Sequence, residues 1–292
     1  MTSPEVSVDL RVRVAFGHAV VQHLADRLEI DVLHIKGWAW SPLIRPFVRA
    51  GNDADVIVRP ASARGLIEEM RAIGWTAHGT FTSGSPFAHA TTLTHETWGS
   101  VDVHQLFPGI GIDPTEAFDV LWAGCQSVEI AGVACPVPSV PAQVLLLVLN
   151  SARGGRGQNT ETLGTLASLP SEVMRDCEEL VRRLHADVAF AAGTGNLEQF
   201  RGARDYSLWR IASQGGTRLQ EWTARVRAAP SLRGAAALIL RAPLVNVPHL
   251  AHVLGRAPTR WDIVKEFFAR PLRGLREQVG VVGARVRRGR PR

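Results

Sequence analysis

Apolar positions recur at helical spacing near the start of the chain. Val12, Phe16, Ala19 and Val20, with His23 on the same side, predict a helix over residues 8–28. A short apolar run over 31–35 predicts a strand that ends in Lys36-Gly37, and a helical segment is expected from Trp38. After the polar turn 49–52, residues 53–58 read as a second strand, which Pro60 stops. Leu66, Ile67, Met70 and Ile73 then mark one face of a helix over 61–73. Beyond Gly74 the period changes to two. Strands are expected near 75–81, 87–94 and 100–106, then a helix over 114–121 and a hairpin over 127–137 turning at Ala131-Gly132. After the proline-rich stretch 136–141, the pattern is helical over 142–152, 171–191, 195–213, 218–228, 232–241 and 260–269. The run Gly154-Gly-Arg-Gly157 lacks the strand and the Lys-Ser/Thr of a phosphate loop and reads as a plain loop.

This order predicts an α+β fold, with a mixed sheet flanked by helices, a mostly helical C-terminal part and a basic tail. Stop-and-start signals divide the chain into 1–138, 139–270 and 271–292. Apolar residues make up 46% of 292, enough for a packed core. The charged start has no apolar h-region, and the apolar run over 144–149 is too short to span a bilayer. Three cysteines (125, 135 and 177) without CxxC spacing argue against a disulfide framework or a zinc site. These features together predict a cytoplasmic protein.

The net charge is +6, but it is unevenly placed. From Arg270 onward the chain carries eight arginines and one acid, Glu277, so the rest is near neutral. A near-neutral body offers little basic groove, which disfavours nucleic acid as a partner. Contact of the tail with an anionic membrane surface stays open, since Phe267-Phe268 adjoin the arginines. Only two of 33 basic residues are lysines, Lys36 and Lys265. Lysine retained against an arginine bias draws attention to Lys36, because the two side chains are not interchangeable at phosphate sites.

Asp53 and Asp55 are two apart on an expected strand, so they share a face. Asp102, in Val101-Asp-Val-His104, lies on another alternating strand, with His104 on its face. Close carboxylates repel unless a cation lies between them, and Mg²⁺ prefers such oxygens. Without a cation, neutralising either Asp53 or Asp55 would relieve that repulsion. A lone Asp-x-Asp also serves as a turn cap beside a solvated strand residue. Arg49 suits either a phosphate or an ion pair with these acids, and Lys36 suits either a phosphate or a solvated strand end. His104 suits a hydrogen bond to Asp102 or a structural role, and Trp38 and Trp40 suit base stacking or the core.

Ile35-Lys36-Gly37, then Arg49-x-x-x-Asp53-x-Asp55, then Asp102-x-His104 resemble an uncharacterised nucleotidyltransferase family of the polymerase-β-like superfamily. The resemblance covers residues 10–150. It implies that Asp53, Asp55 and Asp102 are the metal-binding and catalytic acids of a two-metal Mg²⁺ site, and that Lys36, Gly37 and Arg49 lie at the nucleotide. It further implies transfer of a nucleotidyl group, AMP from ATP or another triphosphate, to a hydroxyl of a small molecule or peptide. The sequence departs from the wider superfamily at one point: Trp38 follows Gly37 where a serine is usual, and Ser41 is the nearest serine. That departure leaves a second reading, a non-catalytic module that binds nucleotide or peptide on the same fold.

Overall fold

The computed structural model describes residues 8–47, 51–78, 89–154, 160–229, 231–241, 250, 254, 256–267 and 269. Arg49 and the basic segment 271–292 lie outside these residues. The chain opens with α1 (Leu10–Leu28), whose N-terminus Asp9 caps by accepting from the Arg11 N–H. Then come β1 (Val32–Ile35), β2 (Ala54–Val58), α2 (Pro60–Ala72), β3 (Thr76–His78), β4 (Ala90–His95) and β5 (Gly99–His104). The five strands form one mixed sheet in the order β1-β2-β5-β4-β3. β2 and β5 run parallel, joined by a crossover through α2, β3 and β4, and all other pairs are antiparallel.

Alternation gives the sheet two different faces. Val32, Ala54, Val56, Val58, Leu93, Val101 and Val103 pack with Val14, Val21 and Leu24 of α1 and with Leu66 and Met70 of α2. Burying this face supplies the main hydrophobic stabilisation, roughly 1.5–3 kcal/mol per large side chain. The opposite face carries the acids.

The helix-bearing face also encloses a polar ladder. His18, Gln22 and Asp26 are spaced four apart on α1, and His34 on β1 reaches into the same row. Gln22 donates to Asp26 at 2.7 Å, so its carbonyl oxygen is left to accept from His34 Nε2 at 2.9 Å. His34 Nδ1 is then an acceptor, and His18 Nδ1–H donates to it at 2.9 Å. Both imidazoles are thereby fixed as neutral tautomers. Burial lowers the His18 pKa to about 4 despite the field of Asp55, and burial together with His18 takes His34 well below 6.5.

Beyond the sheet come α3 (Pro114–Trp122), the hairpin β6 (Gln126–Ile130) with β7 (Val133–Val137), and α4 (Val140–Ser151). Ala131 and Gly132 both have positive φ, as a tight hairpin turn requires. Ile130, Cys135 and Val137 close over Ala15 of α1 and Ala39. Pro136 lies within β7 and Pro141 in the first turn of α4, where a missing N–H costs nothing.

The helical half differs from the sequence pattern at three places; at one, the span 195–213 expected as a single helix is a 3-10 turn, Leu197–Phe200, followed by a separate helix that starts at Tyr206. A helix α5 (Thr160–Ser168) stands where none was expected. Its fully buried face includes Thr162 and Thr165, so apolar periodicity does not reveal it. The single helix expected over 171–191 is two, α6 (Ser171–Arg183) and α7 (Asp187–Thr194). His185 between them takes a φ of 50°, and the backbone of Gly111 seats against this corner, donating to Leu184 O at 2.8 Å. A tertiary contact ends the helix without a glycine or proline to signal it.

Two compact units emerge, one of residues 1–150 with 160–190 and the other of 151–159 with 191–292. The second contains α8 (Tyr206–Gln214), α9 (Arg218–Ala228) and α10 (Leu232–Arg241), and residues 260–267 are helical. Thr217 and Gln220 cap α9 reciprocally. Among the described residues no helix is long and apolar enough to cross a membrane.

Candidate active site

One row of side chains crosses four strands on the face away from α1. In register, Ile35 of β1 lies beside Asp55 of β2, Asp55 beside Asp102 of β5, and Asp102 beside Thr92 of β4. The next row on the same face brings Ile57 beside His104 and His104 beside Ala90. Ligand atoms of Asp55, Asp102 and His104 lie within 4.8 Å of one another. The parallel pairing of β2 and β5 brings together acids that are 47 residues apart in sequence.

Asp55 is the buried centre of this group. Its Oδ1 accepts from Lys36 Nζ at 2.6 Å and from His104 Nε2 at 2.9 Å. Burial alone would raise its pKa, but the Lys36 ammonium and the His104 hydrogen bond more than reverse this and hold it far below 3.8. His104 is itself lowered by burial, which the bond to Asp55 opposes. Its Nδ1 is buried without a hydrogen-bond partner, as expected of a neutral imidazole whose one proton goes to Asp55. Asp102 accepts from Thr92 Oγ1 at 2.6 Å through Oδ1.

Asp53 stands just before β2 and is half-buried. Burial raises its pKa from 3.8 to about 6, and Asp55 and Asp102 add to the rise by repulsion. Lys36 opposes the rise only in part. The two acids of the Asp-x-Asp pair therefore differ: Asp55 has its cation already, whereas Asp53 meets mainly negative charge. The expectation that neutralising either acid would relieve the fold thus fails for Asp55, whose charge is matched by two donors.

Lys36 reaches Asp55 because the backbone turns sharply after β1. Its φ is 60°, uncommon for a residue with a Cβ, and Gly37 follows at 47°. Such conformations cost about 1–3 kcal/mol and persist only where surrounding structure enforces them. A Cβ built on Gly37 would meet nothing within 4 Å, so glycine is needed there for its φ and not for space. The helical segment expected from Trp38 is one 3-10 turn, Gly37–Ala39.

Trp40 is buried, whereas Trp38 is exposed and donates its indole N–H to Arg11 O at 3.0 Å. Ser41 caps its own turn by accepting from the Leu43 N–H at 3.2 Å, and its N–H donates to Gln143 at 2.7 Å. Nothing in the residue pattern pointed to Thr92. Its place opposite Asp102 depends on the β4–β5 register, which the loose strand boundaries over 87–106 could not fix. Nor did the pattern assign Lys36 to Asp55: Lys36 suited a phosphate or a solvated strand end, and Arg49 a phosphate or an ion pair with the acids.

An oxygen-seeking divalent cation fits this set better than zinc. The His104 Nε2 proton is committed to Asp55, which leaves carboxylate oxygens of Asp55 and Asp102 as the donors of the grouped set. His104 then orients Asp55 from behind, as partners of metal-binding carboxylates commonly do.

No protein-family model matches the chain, and no curated protein matches it. Solved structures do. The lincosamide antibiotic adenylyltransferase LnuA, lincomycin-bound, aligns at 15% identity and a TM-score of 0.35, covering 55% of this chain and 94% of that one. ANT(2")-Ia in complex with adenylyl-2"-tobramycin aligns at 13% identity and a TM-score of 0.36, covering 66% and 99%. An antigenic nucleotidyltransferase-like protein from Paracoccidioides brasiliensis aligns at 15% identity and a TM-score of 0.34, covering 72% and 95%. At such TM-scores the likeness assigns no residue a role. These three structures, to which the chain is similar, are nucleotidyltransferases or nucleotidyltransferase-like by their descriptions.

Proposed function

We propose that this protein is a magnesium-dependent nucleotidyltransferase that moves a nucleotidyl group, AMP from ATP, to a hydroxyl of a small molecule or peptide. The observation that carries the reading is the in-register pairing of Asp55 with Asp102 on adjacent parallel strands. Asp53, Asp55 and Asp102 would hold the cation. Bound magnesium would neutralise the triphosphate and align an in-line displacement.

The chain's own groups do the rest. The acceptor oxygen forms a bond to the α-phosphorus, the bond to the β-phosphate oxygen breaks, and pyrophosphate leaves. The hydroxyl proton passes to Asp102, whose Oδ1 is held by Thr92, leaving Oδ2 to take the proton. Lys36 would exchange Asp55 for a phosphate oxygen of the nucleotide, and the open space at Gly37 would admit the phosphates to the backbone.

The test is single-turnover release of pyrophosphate from ATP with a panel of hydroxyl acceptors, in magnesium and in EDTA. Release that needs magnesium, and that Asp102→Asn slows at least a hundredfold, is the expected result. Release unchanged by EDTA would overturn the reading.

One observation favours a non-catalytic module instead: the Lys36 ammonium already neutralises Asp55, and neutral His104 donates a hydrogen bond to it. Lys36→Met separates the two readings. In the enzyme it should weaken ATP binding about tenfold or more while magnesium affinity is retained or increased, because a competitor for Asp55 is gone. If Lys36 is only a permanent counter-ion, the variant should melt lower and bind ATP as before.

A further inference from the structure

Helix α4 buries eight consecutive residues, 142–149, and seven of them are apolar. Gln143 is the exception, and it is 3% exposed. A carboxamide in such a run costs stability unless its polar atoms find partners. Both do. Nε2 donates to Pro138 O at 2.8 Å, in the stretch that leads into α4, and this fixes which way the amide faces. Oε1 accepts from the Ser41 N–H at 2.7 Å, 102 residues earlier in the chain. A leucine would serve the packing as well as its neighbours do. What a leucine lacks is a partner for Ser41.

Ser41 closes the turn that begins at Lys36. Within that turn the Ala39 N–H donates to Lys36 O at 2.8 Å and the Trp40 N–H to Gly37 O at 3.4 Å. Arg45 Nη2 donates to Trp38 O at 2.9 Å and to Trp40 O at 3.0 Å. Ala39 packs with Ile130, Cys135 and Val137. The segment from Lys36 to Ser41 is thus tied into one piece. Its first residue is strained, with Lys36 at φ 60° and ψ −175°. Strained backbone relaxes unless the structure around it prevents this. Strand β1 holds the entry to the turn, and Gln143 holds the exit. The Lys36 side chain leaves from the strained residue to reach Asp55 at 2.6 Å. Releasing the exit lets Lys36 return to negative φ, which aims its side chain elsewhere.

We propose that Gln143 is a positioning residue: by accepting from the Ser41 N–H it keeps the turn in the form that places the Lys36 ammonium on Asp55. That placement stands on the geometry of the turn. Its use, delivery of the ammonium to a nucleotide phosphate, rests on the nucleotidyl-transfer reading.

Lys36 and Lys265 are the only lysines in the sequence, so one can be followed against the other. The full chain is acetylated with an N-hydroxysuccinimide ester of acetic acid, well below its melting temperature, and both sites are read by peptide mass spectrometry. Lys265 is exposed, whereas the Lys36 side chain is 20% exposed and paired, so Lys36 should react about tenfold more slowly in wild type. Gln143→Met keeps the length and packing but neither polar partner. It should raise the Lys36-to-Lys265 ratio about fivefold and weaken ATP binding in magnesium by a similar factor. Gln143→Asn keeps a carboxamide that falls short of Ser41, and should raise the ratio too. Gln143→Glu, held protonated by burial, keeps an acceptor for Ser41 and a donor for Pro138, and should stay near wild type. Leu146→Ala opens a cavity elsewhere on α4, so it should lower the melting temperature and leave the ratio alone. An unchanged ratio in Gln143→Met and Gln143→Asn overturns the proposal. So does an equal rise in Leu146→Ala, which would make Gln143 one packing residue among others. A raised ratio in a protein whose wild type binds no ATP would uphold the positioning of Lys36 and overturn the nucleotidyl-transfer reading instead.

Discussion

Asp53→Asn and Asp55→Asn, made separately, are expected to shift stability in opposite directions while both abolish stabilisation by magnesium and ATP. Asp55 is buried and accepts from Lys36 and His104. Its asparagine variant strands a half-buried ammonium and weakens the partner of a buried imidazole. Removing one member of a buried pair typically costs about 3–5 kcal/mol. Lys36 keeps some access to water, so about 3 kcal/mol is expected here. Asp53 faces the reverse situation. Its carboxyl is raised from 3.8 to about 6 by burial and by two neighbouring acids, so at neutral pH its charge opposes folding. In a dry site that rise would correspond to about 3 kcal/mol. Asp53 is partly open to water, and screening reduces the expected gain in Asp53→Asn to about 1 kcal/mol. Urea unfolding near pH 7.5, with and without magnesium and ATP, gives both quantities. Two variants that shift the same way would show that Lys36 does not compensate Asp55. Undiminished stabilisation by magnesium and ATP in both would remove these acids from the metal site.

The contrast between those two acids shows what the sequence can carry. Alternation alone places Asp53 and Asp55 on one side and Val56 on the other, because a strand's period is fixed by backbone geometry. It also places Asp102 with His104 and sets Val101 and Val103 toward the helices. Alternation does not say which strands are neighbours. The β2–β5 pairing that sets Asp55 beside Asp102 depends on an order in which β5 inserts between β2 and β4. Nor does it report the strained turn at Lys36, which decides that this ammonium, and not a solvated one, meets Asp55. In the helical part, α9 is legible from its periodicity. α5 is hidden because threonines face inward, and the break at His185 is hidden because the backbone of Gly111 imposes it from a distant loop.

Stability should fall steeply as pH drops from 6.5 toward 4, and the buried pair His18–His34 should account for much of the loss. In the folded chain both rings stay neutral well below pH 6.5, His18 down to about pH 4. In the unfolded chain each takes up a proton near pH 6.5. The unfolded state therefore binds more protons throughout that window, and stability is complete above pH 6.5 and declines below it. For His18 alone the total loss by pH 4 is about 3 kcal/mol. His104, also lowered by burial, adds in the same sense. Asp53 opposes them, because its folded carboxyl takes up a proton near pH 6 while the unfolded one waits until about 3.8. Asp55 contributes only at lower pH, since its stabilisation is present above 3.8 and lost below it. Unfolding free energies in urea at pH 8, 6 and 5 separate these terms through slopes, which are insensitive to any constant cost of a substitution. His18→Leu removes one titrating ring, so its slope between pH 6 and 5 should be shallower than wild type by about one proton, or about 1.4 kcal/mol per pH unit. Asp53→Asn removes the opposing uptake and should steepen the same slope by a similar amount. Parallel slopes for wild type and His18→Leu would mean that His18 is already charged, or open to water, in the folded protein.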